Sequence, residues 1–122
     1  MYTITKEFSF CASHKLEGLP ANHPCTNLHG HNYIIIVELQ SVQLDNQGMV
    51  LDYRKLHYIK EHIDEHLDHK HLNDVLDFNP TAENLAKYIF DIFSKTYRQL
   101  IAVTVKETPK TTARYTPIYN TK

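Results

Sequence analysis

Residues 2–14 alternate between apolar and polar positions. Ile4, Phe8, Phe10, Ala12 and His14 share one face, with Lys6 the exception, while Thr3, Thr5, Glu7 and Ser9 take the other. A period of two predicts a strand buried on one side. Residues 18–28 hold a glycine, two prolines and two asparagines, the composition of a loop. Residues 31–40 are rich in β-branched side chains and tyrosine and predict a second strand. Asp45-Asn-Gln-Gly48 then marks a turn. Asp52 is placed to cap a helix whose apolar stripe is Leu56, Ile59, Ile63 and Leu67, at spacings of three and four. The polar stretch 68–80 ends in Asn-Pro. Thr81 can cap a second helix, with Glu83 in its first turn, where the helix dipole favours a negative charge. Leu85, Ile89, Ile92 and Phe93 supply its buried face. Residues 100–107 alternate again, and 112–119 read as a last strand.

The order is β-β-α-α-β-β, which predicts an α+β fold: one domain over residues 1–122, an antiparallel four-stranded sheet with two helices packed on one face. The other sheet face and the sheet edges are then uncovered, a problem that association of copies would solve.

Composition narrows the function without naming it. The chain has 122 residues and a net charge of −1, so no global basic field draws it to nucleic acid or acidic lipid. No apolar run approaches the ~20 residues that span a bilayer. The N-terminal residues lack a basic segment followed by an apolar one, so a reducing cytoplasm is the expected setting, with Cys11 and Cys25 both free thiols. Cys11, inside the first strand, reads as packing. Nine histidines are many for this length and direct attention to metal or acid–base chemistry.

His29-Gly-His31 stands at the start of the second strand, where residues two apart project from one face and two imidazoles can converge on one ion. The intervening glycine lets the backbone pass a crowded centre. His14 ends the apolar face of the first strand and supplies a third ligand if the two strands are neighbours. Three neutral histidines with an open fourth position form a catalytic zinc arrangement. The plain alternative is a coincidental surface pair and a hydrogen-bonded core histidine. Cys25 precedes His29 by four residues. It is a base if its thiolate stands free beside the metal, or a fourth ligand that closes a structural site, or an inert thiol. In Asp68-His69 a carboxylate can fix the tautomer of its neighbour, though two polar residues closing a helix would look the same. Glu107 continues the apolar face of its strand and can anchor a ligand that donates two N–H groups, unless the strand has already reached solvent there. His62-Ile-Asp-Glu-His66 fails the zinc-peptidase pattern, which needs Glu directly after the first His. His66, Asp68, His69 and His71 offer another metal set on spacing alone.

Six ordered blocks are similar to the 6-pyruvoyl-tetrahydropterin synthase superfamily. They are Phe8-Ser-Phe-Cys-Ala-Ser-His14, Cys25-Thr-Asn-Leu-His-Gly-His31-Asn-Tyr, Gly48-Met-Val-Leu-Asp-Tyr53, Leu67-Asp-His-Lys-His-Leu-Asn73, Asn79-Pro-Thr-Ala-Glu-Asn-Leu85 and Val105-Lys-Glu-Thr108. The Cys-x-x-x-His-Gly-His spacing resembles the bacterial 6-carboxy-tetrahydropterin synthase branch of queuosine and deazapurine biosynthesis. The resemblance implies Zn2+ on His14, His29 and His31, and Cys25 as proton acceptor with Asp68 and His69 as its relay. It also implies that Glu107 grips the guanidine-like edge of a pterin. The implied substrate is 7,8-dihydroneopterin triphosphate, with Lys15, Lys106 and Arg114 as candidates for its phosphates. The implied products are 6-carboxy-tetrahydropterin, acetaldehyde and triphosphate. The implied fold is the tunnelling fold, a homo-oligomer of trimers or hexamers with sites at subunit interfaces. A pyruvoyl-tetrahydropterin former, an aldolase-like enzyme releasing 6-hydroxymethyl-dihydropterin and a non-catalytic zinc module are the alternatives.

Overall fold

The computed structural model describes residues 1–22 and 29–118, with His29 described by its backbone alone. The first strand, β1 (Tyr2–His14), pairs antiparallel with β2 (His29–Ser41) along its whole length, from Tyr2 opposite Ser41 to His14 opposite His29. A turn follows in which Asp45 accepts from Gln47 and Met49 through its side chain, and Gly48 takes φ +81°, a conformation glycine adopts without cost. Asp52 does act as a cap, but of a short 3-10 turn, Tyr53–Leu56, which feeds α1 (His57–His66). A two-residue strand, β3 (Lys70–His71), and a single helical turn, α2 (Leu72–Val75), come next. Thr81 accepts from the Asn84 N–H at the start of α3 (Ala82–Phe93). β4 (Leu100–Thr108) and β5 (Thr111–Tyr115) complete the chain.

The sheet therefore has five strands, in the order β3-β1-β2-β4-β5. Its four longer strands run antiparallel, but β3 lies parallel to β1, which makes the sheet mixed and corrects the four-stranded expectation. A strand of two residues carries no period that a sequence pattern can display. The last strand also starts and stops earlier than 112–119, with Thr111 opposite Thr108.

Alternation decides which face is buried. Phe8, Phe10 and Ala12 of β1, Tyr33, Ile35, Val37 and Leu39 of β2, and Val103 and Val105 of β4 all point to the helical side. There they meet Leu56, Ile59 and Ile63 from the first helical segment and Leu85, Ala86, Ile89, Phe90 and Phe93 from α3. Ile92, expected in that stripe, is only half-buried, and Ala86 and Phe90 take the burial instead. Cys11 is not packing: it is exposed on the opposite sheet face, where its thiol donates to Asn32 Oδ1 at 2.8 Å. No helix among the described residues is long and apolar enough to cross a membrane.

Candidate metal centre

At one end of the sheet the buried face changes from hydrocarbon to polar side chains without changing parity. His14 continues the row of Phe8, Phe10 and Ala12; His31 continues the row of Tyr33, Ile35 and Val37; Glu107 continues the row of Val103 and Val105. The register puts His31 opposite Ala12, one step from His14. The His14 and His31 rings meet edge to face, with centroids 5.0 Å apart. Glu107 Oε2 lies 3.7 Å from His31 Nε2 and 4.0 Å from His14 Nε2. Among the described residues these are the only three side chains of metal-ligand type that bring their donor atoms within 4.8 Å of one another.

The donor set fits a divalent cation. His14 is fully buried, and its Nδ1 lies 2.9 Å from the Pro80 carbonyl oxygen. A carbonyl can only accept, so Nδ1 carries the proton and Nε2 keeps its lone pair toward Glu107 and His31. This is the outer hydrogen bond that metal-binding histidines generally make. The Tyr33 hydroxyl also stands 2.9 Å from the same Nδ1. Tyr33 is itself wholly buried, and burial together with the Glu107 carboxylate holds its phenol well above the ordinary value, so it acts as a neutral hydrogen-bonding group. Two imidazole nitrogens and a carboxylate gathered within 4.8 Å are donors of the type zinc takes. Such an ion would supply Lewis-acid chemistry at this position.

The sequence-derived candidates divide. His14 and His31 come together as expected. The backbone of His29 stands directly opposite His14, while its side chain and all of Cys25 lie outside the described residues. Glu107 was expected to face a ligand; it does border a hollow of about 590 Å3 with Lys106 and Asn32, and it also joins the two imidazoles. Asp68 and His69 are not among the converging donors. The Asp68 Oδ1 accepts the Cys11 N–H at 3.0 Å, and its Oδ2 is 3.5 Å from His69 Nε2. His69 is 80% exposed and takes φ 58°, a left-handed conformation uncommon outside glycine. It lines a second hollow of about 480 Å3 that also touches His31 and His71. The set His66, Asp68, His69 and His71 does not assemble: the His71 ring lies 3.0 Å from the Ser13 hydroxyl, and His66 faces Glu65. The Lys15 side chain is exposed. Arg114 is committed to Glu38, at 2.8 Å on the other sheet face, a pairing that raises its pKa. Among the described residues nothing crowds Gly30, since a Cβ there would meet only the Ala12 carbonyl at 3.7 Å.

Tyr33 and Pro80 were not among the sequence candidates. Tyr33 shares the parity of His29 and His31 on β2, a signal that was available; Pro80 acts through a backbone carbonyl, which no side-chain pattern reveals.

Comparison with known proteins gives this geometry a context. Residues 3–117 match the family model for 6-pyruvoyl tetrahydropterin synthase. A protein of Synechocystis sp. named 6-carboxy-5,6,7,8-tetrahydropterin synthase is 38% identical over 125 residues, covering 94% of this chain and 93% of that one. The human 6-pyruvoyl tetrahydrobiopterin synthase is 36% identical over 107 residues, covering 75% of this chain and 74% of its own. The solved structure of the Caenorhabditis elegans 6-pyruvoyl tetrahydropterin synthase superposes with a TM-score of 0.84 at 31% identity, over 96% of both chains. With a family model spanning nearly the whole sequence and a fold shared end to end, the chain belongs to the 6-pyruvoyl tetrahydropterin synthase family.

Proposed function

We propose that this chain is a zinc-dependent lyase that converts 7,8-dihydroneopterin triphosphate and water to 6-carboxy-5,6,7,8-tetrahydropterin, acetaldehyde and triphosphate, a step toward queuosine and other deazapurines. The observation that carries the reading is the convergence of His14, His31 and Glu107 beside an open hollow. The choice of product is supported by the Cys25-x-x-x-His29-Gly-His31 spacing and by the near full-length likeness to a relative of that name.

In this reading His14, His29 and His31 hold Zn2+, whose Lewis acidity would make the side-chain hydroxyls of the substrate and their neighbouring C–H bonds more acidic. Cys25 takes a proton from that side chain. A thiol near a cation is readily held as thiolate, which suits it to this role. Asp68 orients His69, the second proton carrier; the Asp68 side chain is itself fixed by the Cys11 N–H. Glu107 anchors the pterin by accepting two parallel charge-assisted N–H bonds from its guanidine-like edge. Lys15 meets the triphosphate, being an exposed cation just past the end of β1. Sites shared between copies of a homo-oligomer, a trimer or hexamer, complete the proposal.

The test is to incubate zinc-loaded protein with dihydroneopterin triphosphate and identify the products by mass. Acetaldehyde with a carboxy-pterin is expected. A pyruvoyl-pterin or 6-hydroxymethyl-dihydropterin would move the chain to another activity of the family, and unchanged substrate would leave a zinc-binding module. Cys25→Ala is expected to keep its zinc and lose turnover by at least about a hundredfold, the usual scale for a proton-transfer group. Loss of the metal in that variant would instead make Cys25 a ligand of a closed site.

A further inference from the structure

The polar stretch 68–80, which shows no period, closes onto the free edge of β1 with one. In a strand every second residue directs its N–H and C=O to the same side. Cys11, Ser13, Lys15 and Glu17 are four such residues, and each is met in turn. The Asp68 carboxylate accepts from the Cys11 N–H, and the His69 N–H donates to the Cys11 carbonyl. β3 pairs with Ser13 through His71. The Asn73 amide then takes both backbone groups of Lys15, accepting its N–H at 2.8 Å and donating to its carbonyl at 2.7 Å. The Asn79 amide does the same for Glu17, at 2.9 Å and 3.1 Å. A side-chain amide has the donor and acceptor of a peptide group, so the two asparagines extend the ladder past the end of the strand.

Asn79 differs from Asn73 in what adjoins it. The next residue is Pro80, whose carbonyl accepts from His14 Nδ1. The Asn79 carbonyl is held as well, by the Thr81 N–H at 2.8 Å and the Asn84 side chain at 2.9 Å, both at the first turn of α3. The carbonyl that fixes the tautomer and ring plane of His14 thus directly follows a residue tied by its side chain to Glu17 and by its own carbonyl to the start of α3.

We infer that Asn79 is a positioning residue of the metal centre: its clamp on Glu17 holds the Pro80 carbonyl against His14 Nδ1 and so aims His14 Nε2 at the ion. The inference depends on the metal reading proposed above. Asn73 is the internal control, because its clamp two residues earlier holds the backbone next to His14 but sets no carbonyl against the imidazole.

The experiment measures Zn2+ affinity by competition with a chromophoric chelator, and the visible absorption of the Co2+-substituted protein. Asn79→Ala is expected to bind Zn2+ about 10–100-fold more weakly and to shift the Co2+ band, while Asn73→Ala lowers the melting temperature but keeps its affinity within about twofold. Asn79→Asp, which keeps the acceptor for the Glu17 N–H and loses the donor, replaces Asn79→Ala if the latter does not fold, with weaker binding again expected. Unchanged affinity in the folded Asn79 variant, or an equal loss in Asn73→Ala, overturns the inference while His14→Ala still abolishes binding. A wild-type protein that binds no stoichiometric Zn2+, or a His14→Ala variant that binds as well as wild type, overturns the metal reading together with it.

Discussion

A buried imidazole keeps its place only when its ring nitrogens are satisfied, and His14 shows how much surrounding structure that takes. One nitrogen is engaged by Pro80 and Tyr33; the other looks toward His31 and Glu107. Glu107 is the residue whose role is most open to measurement, since it stands near both imidazoles yet at separations longer than a hydrogen bond. If it anchors the pterin, Glu107→Gln keeps the metal and weakens substrate binding. The lost charge-assisted bonds are worth about 1.5–3 kcal/mol, so KM is expected to rise by roughly ten- to a hundredfold with zinc content unchanged. A variant purified without zinc would make Glu107 a ligand and sink the anchor assignment. At this scale His14, His31 and Glu107 were legible in the sequence because strand parity carries the apolar face onto them. The groups that hold them in place were not, because Pro80 contributes a carbonyl, and Asn73 and Asn79 act over 58 and 62 residues of chain with nothing periodic to mark them.

The long elements follow from their apolar periods, and their contacts carry a pH dependence. His62 sits half-buried on α1, its Nε2 2.9 Å from the Tyr88 hydroxyl of α3, with Phe93 edge-on at 5.6 Å. Burial, and then the neighbouring His66, lower its pKa from the ordinary 6.5, only partly offset by Glu65. Well above pH 6.5 the residue is neutral in both folded and unfolded chains and contributes no pH dependence. As pH falls from about 6.5 through the lowered folded value, the unfolded chain binds the proton first, so stability is lost across that window. Melting temperatures from pH 7.5 to 5 are expected to fall more steeply for the wild type than for His62→Gln, whose amide can still reach Tyr88. Parallel curves would show that His62 is not strained by protonation. What escaped the pattern at this scale is the segment between α1 and α3. β3 is two residues long and forms because the edge of β1 offers N–H and C=O groups to pair, and α2 is a single turn of four residues closed by the Leu76 N–H on the Leu72 carbonyl. Tertiary pairing, not local propensity, creates β3.

The whole molecule is a sheet with helices on one side only, and its two edges are unlike. Among the described residues, one is β5, which pairs with β4 alone, and the other is the first part of β1, which has β2 on one side and no strand on the other until β3 begins opposite Ala12. Open edges of this kind invite pairing with another chain. Like-with-like pairing of two copies closes only one kind of edge and leaves the other free. Pairing β5 of one copy with β1 of the next is head-to-tail, and it leaves no free edge only if the ring closes. The sheet face away from the helices, with Ile34 and Ile36 half-buried among Thr3, Thr5, Ser9 and Thr104, would then line the inside of a closed barrel. This agrees with the trimeric or hexameric assembly proposed above. Native mass spectrometry is expected to give three or six chain masses, and backbone amides of residues 111–115 should exchange slowly in concentrated protein and faster on dilution. Amides in β5 that exchange freely at every concentration would rule out edge-to-edge closure, and a single chain mass would rule out any site shared between copies as well.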